Sequence, residues 1–558
     1  MKKNCLQCHA SFEIFPEDLK FYDTVSPVFG GVKYPIPEPT LCALCRMQRR
    51  LSYRNERFLY HRKSDLSGKQ MISSFSSDKP FPVYDVDEWW SEEWDALKFG
   101  REFDFSRPFF EQFFELRNLV PRLARQHQKP MENSDYCNCA SHNKNCYLVF
   151  STNYCEDCYY GSWVNKSKNC LDNTNILDCE LCYECVGCWN CYNLRYCQDS
   201  TNCRDSFFLR GCSGCSDCFG CFNLVQKQYC VFNEQKTKEE YEAFLKNIDR
   251  GSFSEMSAWK EKFEKFSEGL IVKAVQGVHN ESSSGNYLQN CKDAFLSFEC
   301  DNCENVRYCM CLDSAKNSMD YSYWGGNSEW MYECQACGYD LQMLRFCNLC
   351  WSNCSDLLYC DHCFSSRNCF GCVGLKKQEY YILNKQYTKE EYEKLVPKII
   401  SHMKSTGEFG EFFPIAQSIY AYNETLANEQ IPLSREEILA RGWQWHEEEN
   451  TQYVGAPFLI PDRIYDVTPE ISKQVLQSSL SGKPYKIIPQ EFQFYKEQDI
   501  PIPRLTPDER HFERLSKRNK RVLYDRACAK CARAVKTTYA PERKEVIYCG
   551  ECFVKTVY

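Results

Sequence analysis

The spacing of the cysteines is the feature that most constrains the fold of this chain. Between Cys146 and Cys230, sixteen cysteines are separated only by multiples of three residues. A period of three fits neither the 3.6 residues of a helical turn nor the alternation of a flat strand. It fits a narrow parallel β-solenoid with sides of about three residues, each turning one small apolar side chain inward. Residues suited to tight corners flank many of these cysteines, namely Asn145, Asn169, Gly187, Asn190, Asn202, Gly211 and Gly220.

The cysteine-rich region is itself duplicated. The motif Cys-Phe-Gly-Cys at 218–221 returns 151 residues later at 369–372. Each copy then runs into Thr-Lys-Glu-Glu-Tyr-Glu, which begins at Thr237 and at Thr388. A threonine followed three residues later by glutamate predicts a capping box at the start of a helix. We therefore predict two solenoid blocks, each closed by a helix.

Two further cysteine sets, one at each end of the chain, have the spacing of zinc ligands. Two Cys-x-x-Cys pairs supply the four thiolates of a tetrahedral zinc site. Zinc is therefore the expected cofactor, with two sites in zinc-ribbon or treble-clef modules, although a single Cys-x-x-Cys could instead be redox-active. The predicted metal ligands are Cys5, Cys8, Cys42 and Cys45 at one end and Cys528, Cys531, Cys549 and Cys552 at the other.

The two ends are diverged copies of one module. Residues 39–62 align without gaps on residues 503–526, an offset of 464. With the match extended in both directions, each cysteine set falls on residues that cannot hold structural zinc. These replacements are Ser478, Ser481, Thr506 and Glu509 for the first set and Ser64, Ser67, Asp85 and Glu88 for the second. We infer a parent module with two zinc sites, of which each copy kept a different one.

Both copies also keep an arginine-rich segment that begins as a helix behind the first zinc position. The recurring arginines are Arg46, Arg50, Arg54 and Arg57 in the first copy and Arg510, Arg514, Arg518 and Arg521 in the second. Such a basic face could contact the phosphates of RNA or another acidic partner. The alternative is a solvated or ion-paired face, since no aromatic-plus-basic signature of a defined RNA module accompanies it.

The central cysteines leave several chemistries open. A mostly metal-free buried ladder, additional zinc, and iron–sulfur or redox chemistry would all use cysteines at such spacing. The cysteine-bearing ranges 137–230 and 291–372 hold only His142 and His362, so mixed Cys/His catalytic sites are poorly supplied. The chain also lacks a phosphate-binding loop, a dinucleotide fingerprint and a nucleophile elbow. We expect a non-enzymatic protein, with a metal-dependent or thiol-redox enzyme as the alternative.

Composition and the apolar pattern favour the cytoplasm. The chain carries 68 basic and 76 acidic residues, a formal charge of −8, so no overall polycation indicates nucleic acid. Its first residues lack the apolar core of a signal peptide, and no run of about 18 apolar residues predicts a membrane span. In a reducing compartment, 40 cysteines favour thiols and thiolate–metal sites over disulfides.

These patterns together predict a mostly β protein with peripheral helices. Its centre is a duplicated, cysteine-laddered β-solenoid, resembling a β-helix, flanked by zinc-ribbon modules at both ends. We expect the aromatic-rich helix after the first module to cover the start of the solenoid as a cap. The predicted units are a zinc module at 1–100, the cap at 101–135, blocks at 136–270 and 271–405, a helical connector at 406–475 and a zinc module at 476–558.

The motifs resemble those of a group of cysteine-rich bacterial zinc-ribbon proteins common in candidate-phylum genomes. The resemblance spans most of the chain and rests on the two N-terminal cysteine pairs with residues 46–60, and on residues 369–375, 384–393 and 537–542. In that group the second N-terminal zinc site is usually intact, so its loss here departs from the pattern. No activity is established for the group. The resemblance therefore implies a zinc-binding structural or interaction protein and supplies no mechanism.

Overall fold

The structure is a computed structural model that describes residues 1–336, 338, 345–346, 348–349, 354–447 and 458–557. Within these ranges, two blocks of parallel β-solenoid form the centre of the molecule, and small hairpin-and-helix modules lie at both ends. The predicted fold class is therefore confirmed. Three predicted block cysteines, Cys337, Cys347 and Cys350, lie outside the described residues.

The N-terminal module is built from short antiparallel hairpins and helices. Its elements are β1 (Lys2–Asn4), β2 (Ser11–Glu13), α1 (Pro16–Val25), β3 (Val28–Phe29), β4 (Val32–Lys33), α2 (Ala43–Leu51), β5 (Tyr60–Lys63), β6 (Gln70–Ser73), β7 (Val83–Tyr84), α3 (Val86–Trp90), a 3-10 turn (Ala96–Phe99), α4 (Phe109–Leu119) and β8 (Arg122–Leu123). The β1–β2 hairpin holds Cys5 and Cys8, and the β5–β6 hairpin holds Ser64 and Ser67, the counterparts of Cys528 and Cys531.

The first solenoid block winds with twelve residues per turn. Parallel pairing joins Cys158 to Cys170 and Ser162 to Thr174, each twelve residues apart, so a turn has four sides of three residues. The strands are β9 (His127–Glu132), β10 (Asn138–Lys144), β11 (Phe150–Asn153), β12 (Glu156–Tyr159), β13 (Ser162–Asn165), β14 (Lys168–Leu171), β15 (Thr174–Leu177), β16 (Tyr192–Arg195), β17 (Arg204–Phe207), β18 (Ser216–Phe219), β19 (Gln228–Val231) and β20 (Glu234–Gln235).

Cysteine suits the inside of this solenoid because its side chain is small and its thiol can donate a hydrogen bond to a backbone carbonyl of the solenoid wall. The ladder cysteines from Cys146 to Cys230 are at most 3 % exposed. Their thiols donate to backbone carbonyls, as Cys170 Sγ does to the oxygen of Cys179, in the next turn, at 3.6 Å. The corner residue before an inward cysteine is left-handed, with φ of 51° at Asn145 and 66° at Gly187. Asparagine and glycine tolerate that conformation best, as the sequence predicted.

Two helices close the first block and pack on its aromatic outer face. They are α5 (Lys238–Lys246) and α6 (Phe253–Ser267). The predicted capping box is present, since the Thr237 hydroxyl accepts from the Glu240 N–H. Phe219 of the block lies 5.2 Å, centroid to centroid, from Phe244 of α5 and from Trp259 of α6.

The second block repeats this architecture with three longer turns. Parallel pairs at Met319–Tyr332, Tyr332–Arg345 and Arg345–Leu358 span thirteen residues each. The strands are β21 (Ile271–Lys273), β22 (Gly277–Val278), β23 (Gly285–Asn286), β24 (Leu288–Gln289), β25 (Ser297–Asp301), β26 (Glu304–Arg307), β27 (Met310–Asp313), β28 (Lys316–Gly325), β29 (Tyr332–Gln335), β30 (Ser355–Leu358), β31 (Arg367–Phe370), β32 (Glu379–Ile382) and β33 (Lys385–Gln386).

A capped helix and a connector lead from the second block to the C-terminal module. The Thr388 hydroxyl accepts from the Glu391 N–H, which confirms the second predicted capping box. The elements are α7 (Lys389–Thr406), α8 (Leu426–Gln430), α9 (Arg435–Ala440), β34 (Leu476–Gln477), β35 (Pro484–Tyr485), α10 (Pro489–Glu497), α11 (Pro507–Ser516), β36 (Tyr524–Ala527), β37 (Ala534–Thr537), β38 (Val546–Tyr548) and α12 (Gly550–Val557), with 3-10 turns at Ile415–Gln417, Tyr422–Glu424, Ile464–Asp466 and Pro469–Lys473.

The aromatic helix α4 does not cover the start of the solenoid, so that part of the prediction is wrong. Phe109 lies 5.3 Å from Tyr359 and 5.3 Å from Phe370, which are outward aromatic residues of the second block. Phe113 stacks on Phe413 of the connector at 5.0 Å. The helix packs on aromatic residues that lie far from it in sequence.

Each end module contacts both solenoid blocks. Strand β7 of the N-terminal module pairs in parallel with β8, which leads into the first block. Strand β38 of the C-terminal module pairs in the same way with β21, which leads into the second block. Each arginine helix, in contrast, lies on the block at the far side of the chain. Among the described helices, none is long and apolar enough to cross a membrane.

Candidate metal centres and arginine clamps

The N-terminal cysteines converge on one point between a hairpin and a helix. Cys5 and Cys8 lie in the turn of the β1–β2 hairpin, while Cys42 precedes α2 and Cys45 lies in its first turn. The four Sγ atoms all lie within 4.8 Å of one another. Cys8 Sγ and Cys42 Sγ are 3.7 Å apart. Four thiolates at a zinc–sulfur distance of about 2.3 Å would be separated by about 3.8 Å in a tetrahedron.

The C-terminal cysteines form an equivalent site. Cys528 and Cys531 lie in the turn of the β36–β37 hairpin, and Cys549 and Cys552 lie at the start of α12. Their Sγ atoms also lie within 4.8 Å of one another, with Cys531 and Cys549 3.8 Å apart. Both predicted ligand sets are thus brought together by the fold. Each could hold a metal ion.

Hydrogen bonds favour the thiolate form of Cys528 in one set and of Cys42 in the other, whereas the pKa of Cys45 and that of Cys552 are raised. Burial raises the pKa of Cys528, but backbone hydrogen bonds from residues 530, 531 and 549 outweigh it and lower that pKa to about 6. The Cys549 N–H lies 3.3 Å from the sulfur of Cys528. In the other site, a hydrogen bond from the Cys45 thiol lowers the pKa of Cys42 to about 5. Thiolates are the form that binds metal.

The hairpins of the kept and the lost sites share one backbone geometry. In each, the first ligand position donates its N–H to the carbonyl five residues later, and the fifth residue donates back to the first, at 2.8 to 3.0 Å. The fifth residue is left-handed in all four hairpins, with φ between 58° and 75°. The first positions are Cys5, Ser64, Ser478 and Cys528. The serine-bearing hairpins therefore share the backbone conformation of the cysteine-bearing hairpins.

In both modules a glutamate accepts hydrogen bonds at the positions where the other module has a converging cysteine set. Ser64 and Ser67 both donate their hydroxyl groups to the carboxylate of Glu88. Burial raises the pKa of Glu88, but these hydrogen bonds lower it further than burial raises it, so the carboxylate stays charged. In the other copy, Ser478 donates to Glu509 at 2.5 Å. Each glutamate occupies a former cysteine position at the start of a helix.

The first two arginines of each segment bind an aspartate at a solenoid corner. Arg46 Nε lies 2.8 Å from Asp320 Oδ2, and Arg50 Nη1 lies 3.0 Å from Asp320 Oδ1. In the second copy, Arg510 Nε lies 2.9 Å and Arg514 Nη1 2.8 Å from the corresponding oxygens of Asp172. Even the further partners correspond, because Arg50 donates to Ser322 and Arg514 to Thr174. Both copies use the same contacts on different blocks.

The last two arginines of each segment reach the other block. Arg54 donates to Ser151 at 2.9 Å, and Arg57 donates to Ser162 at 3.2 Å, both in the first block. Arg518 and Arg521 both bind Glu299 of the second block. Each arginine segment thus spans the two blocks, and we name residues 46–57 and 510–521 the arginine clamps. They hold the solenoid blocks side by side.

The clamps argue against the predicted contact with RNA or an acidic partner through these arginines. Arg46, Arg50, Arg510 and Arg514 are at most 3 % exposed. The side chains of Arg54, Arg57, Arg518 and Arg521 are 7 to 12 % exposed. A guanidinium buried against its own protein cannot reach a phosphate. The ion-paired alternative is the arrangement observed, and the sequence did not identify the acidic partners Asp172, Asp320, Glu299, Glu333 and Glu491.

The ladder thiols form no comparable metal site in the described ranges. The groups of His, Cys, Asp or Glu that converge there are the two terminal sets. Burial raises the pKa of Cys300, and it raises the pKa of Cys309 to about 12. At Cys170, burial raises the pKa too, but hydrogen bonds from Cys158 and Cys182 outweigh it and lower that pKa to about 6, so the ladder thiols are not all alike. A thiol with a raised pKa is a weak nucleophile and a weak metal ligand until it loses its proton. His362 hydrogen-bonds to Asp361 at 2.6 Å and belongs to neither converging set.

Glu429 of α8 gives the clamp region a pH dependence. Burial raises the pKa of Glu429 to about 7, because Arg57 and Arg521 only partly offset the lost hydration. His511 Nε2 lies 3.6 Å away, but burial followed by the charge of Arg57 lowers the pKa of His511 well below its usual value. Both shifts favour the neutral forms. We therefore treat this contact as uncharged rather than as an ion pair.

The substitution Glu429→Gln is expected to stabilise the protein at alkaline pH. The native glutamate binds a proton more tightly when folded, so its contribution to stability is present below pH 4.5 and is lost as pH rises through 7. The gain of the variant over the parent should grow by about 1 kcal/mol from pH 6 to pH 8. Urea unfolding of both proteins at the two pH values measures this. A difference that does not change with pH would contradict the raised pKa.

No protein-family model matches the sequence, and no curated protein matches it.

Proposed function

We propose that the protein is a zinc-stapled scaffold whose end modules clamp two cysteine-lined solenoids together. The observation that carries this proposal is the convergence of each terminal cysteine set at the base of a clamped module. The combination of a hairpin turn with a helix N-terminus supports a treble-clef module, and four thiolates suit zinc. The free thiols throughout the ladder fit a reducing compartment such as the cytoplasm.

Zinc at these sites would supply a static cross-link. Four thiolates fill the tetrahedral coordination shell and leave no open position for water or substrate. Cys45 and Arg46 are neighbours in α2, so the metal would fix the helix that carries the first clamp. At the other end, Cys549 follows β38, the strand that pairs with β21 of the second block. The metal sites therefore support the clamps instead of performing chemistry.

Elemental analysis of protein purified without oxygen tests this proposal. We expect two zinc ions per chain and no stoichiometric iron, since each converging cysteine set holds one tetrahedral ion. The variants Cys8→Ser and Cys531→Ser should each lose one zinc. Cys139→Ser, which removes a thiol outside both sets, should lose none. Stoichiometric iron, or zinc that survives both ligand substitutions, would contradict the proposal and favour metal or redox chemistry in the ladder.

A further inference from the structure

A cavity of about 430 Å³ lies beside the second clamp, between α11, the second block and the end of α8. Its size is within the range of ligand-binding clefts, about 300 to 1,000 Å³. Its lining includes Leu515, Ser516, Arg518, Arg521, Tyr524 and Arg543. Each of these residues has a counterpart 464 positions earlier in the N-terminal module. The two surfaces can therefore be compared position by position.

The counterpart surface in the N-terminal module is covered by residues 418–427 of the connector. The N–H of Leu426 donates to the carbonyl of Arg54 at 3.0 Å. The carboxylate of Glu424 accepts from the hydroxyl of Tyr60 at 2.6 Å. In the C-terminal module the corresponding positions, Arg518 and Tyr524, line the cavity instead.

The covering segment contributes one acidic and one aliphatic anchor. Leu426 packs with Leu51 in a buried apolar cluster, and Glu424 forms an ion pair of 2.9 Å with Lys79. The cavity has the counterparts of both contact residues. Leu515 corresponds to Leu51, and Arg543 is a cation at the position that corresponds to Lys79.

The charge of the cavity favours an acidic occupant. Arg54 pairs with Glu56 at 2.5 Å in the first clamp, but the residue equivalent to Glu56 is the exposed Lys520. Arg518 and Arg521 consequently share a single carboxylate, that of Glu299.

The other charged groups of the wall are largely paired with one another. Arg521 is bound to Glu299, and its Nη1 atom is buried beneath the surface. Glu429 and Glu542 also line the cavity. Burial of Glu429 reduces its negative charge at neutral pH by raising its pKa to about 7. Arg543 is already paired with Glu545. The exposed cation Lys520 and the hydroxyl of Tyr524, whose counterpart Tyr60 binds Glu424, make a carboxylate the complementary group.

We propose that this cavity binds a peptide segment of a partner protein that carries a carboxylate two residues before an aliphatic side chain, as residues 418–427 do in the N-terminal module. The carboxylate would lie between Tyr524 and the exposed cation Lys520, and the aliphatic side chain would lie on Leu515. This inference rests on the proposed scaffold role and deepens it by giving the scaffold a docking site. The duplicated module thus uses one surface to bind its own chain and the other to bind a partner.

Fluorescence anisotropy of a labelled peptide with the sequence of residues 417–428 tests the site on the full-length, zinc-loaded protein. We expect one peptide to bind per chain. Tyr524→Phe combined with Lys520→Glu should weaken binding by about tenfold, because a hydrogen bond and a favourable charge are lost. Alanine at the peptide positions of Glu424 and Leu426 should have a similar effect. The charge-matched control Lys486→Glu, an exposed site elsewhere in the module, should leave affinity unchanged.

Three outcomes would overturn the proposal. These are absence of peptide binding, affinity that the cavity variants do not change, and displacement of the peptide by an RNA oligonucleotide that binds the cavity more tightly. Zinc is measured in the same samples, so the two proposals are separable. Loss of peptide binding with two zinc ions per chain would refute the docking site alone, whereas absence of zinc would refute the metal-stapled scaffold.

Discussion

The substitution Asp320→Asn is expected to lower the free energy of unfolding by about 3 kcal/mol, the cost of leaving buried charges without their partner. Asp320 is fully buried and pairs with both Arg46 and Arg50. Burial lowers the pKa of Arg46, but Asp320 outweighs it and raises that pKa well above its usual value, so the guanidinium stays charged. Asparagine keeps the size of the side chain and tolerates the left-handed corner, φ 52°. The variant therefore removes charge and little else.

Controls for this substitution come from the duplication. Asp172→Asn should have a similar effect, because it leaves Arg510 and Arg514 in the same position. Asp293→Asn changes an exposed aspartate with the same φ of 52° and should change stability by no more than about 0.5 kcal/mol. Urea unfolding of the three variants makes the comparison. Equal effects at Asp293 and Asp320 would mean that the clamps do not hold the module on the solenoid.

The solenoid could be predicted because its geometry restricts one position in three. Cysteine fills most inward positions of the first block, although Leu194 and Leu209 also fit there, so cysteine marks the period directly in the sequence. Several corners can be recognised as well, because asparagine and glycine, as at Asn145 and Gly187, tolerate the left-handed conformation best, although Leu148 and Tyr154 also adopt it. The metal sites were equally accessible, because four ligands at a fixed spacing define them without knowledge of the fold.

The crosswise docking of the modules could not be predicted from local patterns. The docking depends on Asp172 and Asp320, which are two of the 76 acidic residues in the chain. Both lie at left-handed corners, where aspartate is favoured by the backbone conformation whether or not it binds an arginine. The sequence does contain a repeated pattern around the two aspartates. Each aspartate follows a tyrosine by twelve residues and precedes a serine or threonine by two, and the two patterns are 148 residues apart. That offset differs from the 151 at Cys218 and Cys369 because three turns of thirteen residues lie between. A reader of the sequence who does not know the lengths of these turns cannot align Asp172 with Asp320.

Restoring cysteine at Ser64, Ser67, Asp85 and Glu88 is expected to raise the metal content from two ions to three per chain. The hairpin that carries Ser64 already has the backbone hydrogen bonds and the left-handed fifth residue of the metal-binding turns. The side chain of Ser67 already meets that of Glu88, so the first pair of positions faces the second. The backbone therefore needs little reorganisation to bind zinc, and binding should stabilise the folded state by several kcal/mol.

The matched control replaces the same four residues with alanine, which should keep two metals and lose the hydroxyl–carboxylate cross-link. Metal analysis and thermal unfolding, with and without a chelator, distinguish the two variants. The cysteine variant should melt above its parent when loaded and below it when stripped, because the Glu88 hydrogen bonds are then gone without replacement. A folded cysteine variant that still binds only two ions would contradict this prediction. It would mean that the backbone conformation of the β5–β6 turn supports the attachment of the clamp and is not sufficient for metal binding. In that case the two kept sites would owe their metal affinity to surroundings that the lost sites do not share.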